Sequence, residues 1–254
     1  MPTHTQHSLN GIPAEQLIAH RGYQQHFPEN SPRAINEAIA CGAHYIEIDV
    51  QFSSDGIPLI CHDDDLLRIA GINKKLSAYT FKELASITAN EPTRFGTQFQ
   101  EIKLAPLQAL VDIMQANPKV QVLVELKEEA TRDYGAAFCL SGIFEVLSPV
   151  IDRCILISFD IDALRIAKNY HFKRLGAVLR QWHLRHSIAQ ELNAEMIICN
   201  YKRIPEQDSL HMDECLVAVY EVDHIALGNH LLSRGANFIE TFSIGEMLGS
   251  YGKQ

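Results

Sequence analysis

Between Ile18 and Asp63 the chain sets down Ile-Ala-His-Arg-Gly (18–22), Phe-Pro-Glu-Asn-Ser (27–31), Tyr-Ile-Glu-Ile-Asp-Val (45–50) and, past a turn at Ser54-Asp55-Gly56, Leu-Ile-Cys-His-Asp (59–63). His20, Arg21, Glu47, Asp49 and His62 thus stand at or near the ends of short apolar runs, where side chains from separate strands can converge on one bound group. A second cluster follows at Val124-Glu125-Leu126-Lys127. Glu47, Asp49 and Glu125, with no thiol or imidazole interleaved, offer oxygen donors alone, a set that suits Mg²⁺ or Ca²⁺ better than zinc. The same carboxylates could instead pair with Arg21 and Lys127 and hold no metal, since those cations nearly balance them. His20 and His62 can flank a bound group, one removing and the other donating a proton, although a histidine taken singly at a strand end is an ordinary hydrogen-bonded core residue. Arg21 offers a fork that fits phosphate with paired hydrogen bonds, and Lys127 a point charge. A cation and these two basic side chains would stabilise the spread negative charge of a phosphoryl transition state, so these residue types favour phosphoryl-ester hydrolysis.

The elements that must position these residues can be read from the apolar pattern. Leu17–His20 followed by Gly22 reads as a buried strand with functional side chains at its C-terminal end. Pro28-Glu29-Asn30-Ser31-Pro32 supplies a cap and a first-turn proline for a helix carrying Ala34, Ile35, Ala38 and Ile39. From Ala43 to Phe52 the alternation puts Ile46, Ile48 and Val50 on one face and Tyr45, Glu47, Asp49 and Gln51 on the other. Val120–Lys127 repeats the pattern, with Leu123, Glu125 and Lys127 opposite Val122, Val124 and Leu126. Residues 64–103 are less periodic and read as a loop-rich insertion over one end, with Ser77 or Thr80 capping a short helix over 81–87. A helix is expected over 104–116. Helices over 131–147, 161–170, 184–193, 205–213, 223–234 and 243–250 then alternate with strands over 154–159, 174–179, 195–200, 215–221 and 237–241. Eight strands each followed by a helix, with polar residues gathered at strand C-terminal ends, predict a (β/α)₈ TIM barrel spanning 1–254 as a single domain. A doubly wound open sheet is the alternative, but no Gly-x-Gly-x-x-Gly follows the first strand.

Composition limits the partners. With 22 basic and 31 acidic residues the formal charge is −9, which argues against nucleic acid and against a polybasic membrane patch, so an anionic substrate needs a local positive site. Met1–Gln16 shows no basic segment followed by an apolar one, and nowhere do eighteen uncharged apolar residues run together, so a cytoplasmic protein without membrane insertion is expected. The six cysteines (41, 61, 139, 154, 199, 215) form no Cys-x-x-Cys pair and read as buried free thiols. Oligomeric state is not legible.

In order, His20-Arg21-Gly22, Pro28-Glu29-Asn30-Ser31, Glu47-Ile48-Asp49-Val50-Gln51, Asp55-Gly56, His62-Asp63 and Val124-Glu125-Leu126-Lys127 resemble the motifs of the glycerophosphodiester phosphodiesterase family. Ser158-Phe159 and Gly235-Ala236-Asn237-Phe238-Ile239-Glu240-Thr241 are similar to its fourth and last strands. The resemblance implies a TIM barrel that hydrolyses glycerophosphodiesters to glycerol 3-phosphate and an alcohol; small, deacylated ones are expected, since 64–103 shows no long amphipathic basic helix and the net charge is −9. It implies His20 and His62 as acid/base pair, Arg21 and Lys127 at the phosphate, and Glu47, Asp49 and Glu125 around a divalent cation. A free glycerol hydroxyl as internal nucleophile, through a cyclic phosphate, would explain the lack of a protein nucleophile. The chain departs from the family pattern at Tyr220-Glu221-Val222-Asp223, where an aromatic and Thr-Val-Asn are usual, and at Thr241-Phe242-Ser243-Ile244, where Thr-Asp-x-Pro is usual. Tyr220 is a candidate to stack on the glycerol or simply to pack. Two rival functions are a phospholipase D-like barrel acting on sphingomyelin or lysophospholipids, similar in its His pair and Glu-x-Asp site, and a catalytically silent binding barrel.

Overall fold

Strand β2, Tyr45–Phe52, carries the two-residue period furthest, and the computed structural model, which describes residues 11–170 and 172–249, places its two faces as the alternation demands. Ile46, Ile48 and Val50 pack outward into the layer between sheet and helices, while Tyr45 joins the apolar plug inside the barrel with Ile18, Leu123, Ile155, Ile157, Val178, Met196, Ile198, Ala218 and Phe238. Eight parallel strands make that barrel: β1 Leu17–His20, β2, β3 Gln121–Leu126, β4 Cys154–Ser158, β5 Leu175–Leu179, β6 Met196–Asn200, β7 Leu216–Tyr220 and β8 Phe238–Thr241. Strand β1 pairs with both β2 and β8, which closes the ring, so no barrel edge is left open.

The helices α1 Pro32–Ala40, α2 Gln108–Ala116, α3 Ala136–Leu147, α4 Ile161–Ala167, α5 Arg185–Leu192, α6 Ile225–Ser233 and α7 Ile244–Met247 lie between successive strands or, for α7, after β8. Ser31 caps α1 by accepting from the Ala34 amide, and Pro32 takes the first helical position, where its missing N–H costs nothing. Gly22 is required at the turn between β1 and α1: its φ is +78°, and a Cβ there would sit 2.7 Å from the Ala34 carbonyl carbon. All six cysteines are free thiols, four of them buried. No single helix among the described residues is long and apolar enough to cross a membrane; Glu128–Tyr134 and Ala136–Arg153 pass that test only together, across a 113° bend.

Several expected elements differ. The helix expected over 205–213 does not form: a 3₁₀ turn at Tyr201–Arg203 gives way to irregular chain, because Pro205 and the Asp208-Ser209 pair favour turns, while Leu210 and Met212 are buried without helical geometry. The helix expected over 104–116 begins only at Gln108, since Ala105–Pro106 is drawn into antiparallel pairing with Leu59 and Ile60. Gly135, at φ +82°, splits the helix expected over 131–147 into Glu128–Tyr134 and α3. The last helix is one turn, and the expected range runs past the described residues.

The insertion is more ordered than its sequence suggests. Strands Asp65–Leu66 and Ile72–Lys75 pair antiparallel, and one-turn helices at Leu67–Ala70, Phe81–Leu84 and Pro92–Phe95 surround a separate small core of Leu59, Cys61, Leu66, Ile69, Leu76, Leu84, Ala89 and Leu104. Thr80 and Glu83 form a reciprocal capping box on the second of these helices.

Candidate active site

The C-terminal ends of β1, β2, β3 and β8 bring His20, Glu47, Asp49, Glu125 and Glu240 to one mouth of the barrel, all of them buried. Arg21 follows β1 in a left-handed backbone conformation (φ 56°), which lets its amide donate to Glu47 Oε2 at 3.1 Å while its guanidinium reaches Glu29 and Asp49. Asn30, also left-handed (φ 52°), clamps Asp49 from both sides: Nδ2 donates to Asp49 Oδ2 at 2.8 Å, and the Asp49 amide donates to Oδ1 at 3.1 Å. Lys127, just past β3, donates from Nζ to Glu125 Oε1 at 2.7 Å and to Asp49 Oδ1 at 3.1 Å.

These charges do not balance. Four buried carboxyl groups, Glu47, Asp49, Glu125 and Glu240, meet Arg21 and Lys127, two more acidic groups than basic ones. Burial raises Glu47 well above the usual carboxylate range, reinforced by repulsion from Asp49, Glu240 and Glu125. Burial raises Glu125 despite Lys127, and raises Glu240 to about 8, with Glu125 and Asp49 adding to it. For Asp49 burial is outweighed by Lys127 and Arg21, which hold it well below the usual range.

One oxygen from each of Glu47, Asp49 and Glu125 lies within 4.8 Å of the others, and Glu47 Oε1 is buried with no hydrogen-bond partner among the described residues. An all-oxygen donor set with an orphaned buried lone pair and an excess of acidic over basic groups fits a hard divalent cation. His20, Glu47 and Glu240 form a second cluster of the same tightness, but its imidazole makes it a mixed donor set.

The two histidines face one cavity of about 160 Å³, lined also by Arg21, Glu125, Lys127, Phe159, Tyr220, Glu221 and Glu240. A wider one, about 380 Å³, adjoins it through His62, Glu125, Lys127 and Phe159, with Asp63, Asp64, Asp65, Glu128, Glu129 and Arg180 around the rest. His20 is held by packing. Its ring stacks on Phe242 (4.4 Å between centroids, 14° between planes), Tyr220 meets it edge-on at 6.2 Å, and Nε2 lies 3.5 Å from Glu240 Oε1. Burial lowers His20 well below the ordinary histidine range, with Arg21 acting in the same direction. His62 instead sits in the chain leading into the insertion, with Nδ1 2.6 Å from Asp63 Oδ1.

All eight residues singled out in the sequence therefore reach this mouth, Tyr220 as a wall of the smaller cavity. Sequence reasoning missed Glu240, Phe242, Asn30, Asp63, Glu29 and Arg68. Glu240 did carry a signal, since it is a lone carboxylate near the C-terminal end of an apolar strand, as Glu125 is. Phe242 and Tyr220 both lie where the chain departs from the family pattern, and both contact His20.

A model of the glycerophosphoryl diester phosphodiesterase family matches residues 20–224. Human glycerophosphodiester phosphodiesterase 1 is 34% identical over 172 residues, which is 67% of this chain and 50% of the human protein. A glycerophosphodiester phosphodiesterase of Bacillus altitudinis is 28% identical over 151 residues, 59% of this chain and 60% of that one. The chain spans about half the length of the mammalian relatives it matches. Among solved structures, an Oleispira antarctica phosphodiesterase in complex with its product sn-glycerol-3-phosphate superposes with a TM-score of 0.80 at 22% identity, covering 92% of this chain and 96% of that one. A glycerophosphodiester phosphodiesterase from Agrobacterium tumefaciens superposes at 0.75 and 18%, covering 92% and 99%. These structural likenesses establish the barrel fold.

Proposed function

Because the chain belongs to the glycerophosphoryl diester phosphodiesterase family, we propose that it hydrolyses small glycerophosphodiesters to glycerol 3-phosphate and an alcohol. The observation that carries this reading is the meeting of His20 and His62 on one cavity beside the Glu47–Asp49–Glu125 cluster. In this reading the two imidazoles act as general acid and base on the phosphodiester, and Arg21 and Lys127 bind its non-bridging oxygens. Glu47, Asp49 and Glu125 would hold Mg²⁺ or Ca²⁺, which would supply charge stabilisation at the phosphate. No serine or cysteine nucleophile is assigned; the glycerol hydroxyl beside the phosphorus loses its proton to one imidazole and attacks at high effective molarity, the alcohol leaves with a proton from the other, and water then opens the cyclic phosphate to glycerol 3-phosphate. Tyr220 borders the glycerol side. The product bound in the Oleispira antarctica relative supports a small-molecule substrate of this class. Six free cysteines suit a reducing compartment, so we place the reaction in the cytoplasm.

The test is glycerol 3-phosphate release from glycerophosphocholine and glycerophosphoethanolamine with Mg²⁺ and Ca²⁺, against phosphatidate release from dispersed phosphatidylcholine at matched concentration. Acylation removes the internal nucleophile, so the deacylated diesters should turn over far faster. Comparable or faster lipid cleavage would instead favour a phospholipase D-like activity, and no turnover of any diester would leave a binding barrel.

A further inference from the structure

The insertion is the least regular part of the sequence, yet its Arg68 joins two site residues that have no direct contact given by the geometry. His62 Nδ1 and Asp63 Oδ1 are 2.6 Å apart, and the other Asp63 oxygen accepts from Arg68 Nε at 2.7 Å. The remaining arms of the same guanidinium donate to both oxygens of Glu29, at 2.8 and 2.7 Å. Glu29, with a side chain only 1% exposed, in turn accepts from Arg21 Nη1 at 3.1 and 3.3 Å. A continuous chain of polar contacts therefore runs Arg21–Glu29–Arg68–Asp63–His62.

We propose that Arg68 is a positioning residue for His62, and that the insertion is retained over the barrel mouth to deliver it. This rests on the acid/base assignment made above. An ionised Asp63 can only accept, so Nδ1 of His62 carries the proton and donates it, which leaves Nε2 as the neutral ring's lone pair for the reaction. Burial would raise Asp63, but the hydrogen bonds from His62 and Arg68 outweigh it and keep this carboxylate well below its ordinary range, hence ionised.

Asp63 is adjacent to His62 in the chain and lies at a loop, so nothing in its own element fixes its rotamer. The guanidinium does so from outside, because one planar fork engages Asp63 through Nε and Glu29 through both Nη groups at once. Glu29 is itself anchored: its amide donates to Glu91 Oε1 at 2.7 Å, and Gln24 Nε2 donates to its Oε2 at 2.9 Å. Arg68 is thus braced against a buried carboxylate and transmits that rigidity to a half-buried one. Lysine would keep the charge but lose two of the three directed bonds.

The test is a cycle of Arg68→Gln and His62→Ala, with Arg68→Lys as the conservative variant. Arg68→Gln should lower kcat by about 10–100-fold, the usual loss when a partner that orients a reactive imidazole is removed. In the His62→Ala background the same change should alter kcat by less than about twofold, because the residue it positions is gone. Arg68→Lys should fall between. In parallel, ¹⁵N-histidine NMR follows the downfield Nδ1 proton of His62, which should move upfield in Asp63→Asn, whose neutral amide oxygen accepts more weakly, and shift or broaden in Arg68→Gln. A kcat for Arg68→Gln within about twofold of the parent, or an equal loss with and without His62, would overturn the proposal. If the parent turns over no glycerophosphodiester, the hydrolase reading falls, and the Nδ1 resonance decides alone: unchanged in Arg68→Gln, it overturns the role of Arg68; perturbed, it upholds it.

Discussion

His20 and His62 open onto the same cavity from environments with little in common. His20 belongs to the barrel wall, where β1 and β8 meet, and is stacked on Phe242, 7% exposed, and shifted down mainly by burial. Its Nδ1 has no hydrogen-bond partner among the described residues. His62 lies where the chain leaves the barrel for the insertion, with 31% of its side chain exposed and its Nδ1 engaged by Asp63. Packing defines one ring and hydrogen bonding the other. That difference teaches that a pair of identical side chains can be given unlike environments by the elements that carry them, which in the proposed mechanism suits them to unlike proton-transfer roles.

The largest effects should come from deleting either ring. His20→Ala and His62→Ala should each lower turnover by about 10²–10⁴-fold while leaving divalent-cation affinity, measured by calorimetric titration, intact. The double variant should lose little more than the worse single one, since a step that needs both is already stalled. Near-parental turnover of either single variant would break the pairing.

A smaller effect sharpens the contrast. If stacking is what holds His20, Phe242→Ala should lower kcat by about tenfold through a loosened ring, with Phe242→Leu recovering only part of it because an aliphatic side chain lacks the flat face. Asp63→Asn should leave the environment of His20 untouched, which ¹⁵N-histidine NMR can read residue by residue. A His20 signal that moves in Asp63→Asn would mean that the two environments are one.

The smallest expected effect lies in stability. Glu240, raised to about 8 from 4.5, keeps a proton in the folded protein that the unfolded chain releases, so its contribution falls as pH rises toward about 8. His20 works in the opposite sense, but only below its ordinary value of 6.5, since the folded form declines a proton that the unfolded form takes. Between pH 6.5 and about 8, then, the metal-free protein should lose a few degrees of Tm, and saturating Mg²⁺ or Ca²⁺ should flatten the slope by neutralising the cluster. Thermal melts at closely spaced pH values check this; a rising Tm across the window would show that these carboxylates are not the dominant titrating groups.

Much of the molecule was legible because the strands obey a strict two-residue period. Ile46, Ile48 and Val50 against Glu47 and Asp49, and Val122, Val124 and Leu126 against Leu123 and Glu125, identified both the barrel and the inward carboxylates, and the structure places them so. Where period failed, so did the reading. Leu210 and Met212 are buried in irregular chain, so their burial does not require the helix expected over 205–213. The insertion builds its core from strands and helices of two to four residues, too short for any repeat to emerge.

By itself the sequence determined which side chains of β2 and β3 point into the barrel, and hence that Glu47, Asp49 and Glu125 could share its mouth, because side-chain direction along a strand is a local property of the backbone. Only the tertiary structure decided who touches whom. Closure of β1 on β8 brought Glu240 beside His20, and the fold of the insertion carried Arg68 to Asp63 and Glu29. Those contacts join residues far apart in the chain, and they follow from barrel closure and the path of an irregular segment, which no periodicity in the sequence encodes.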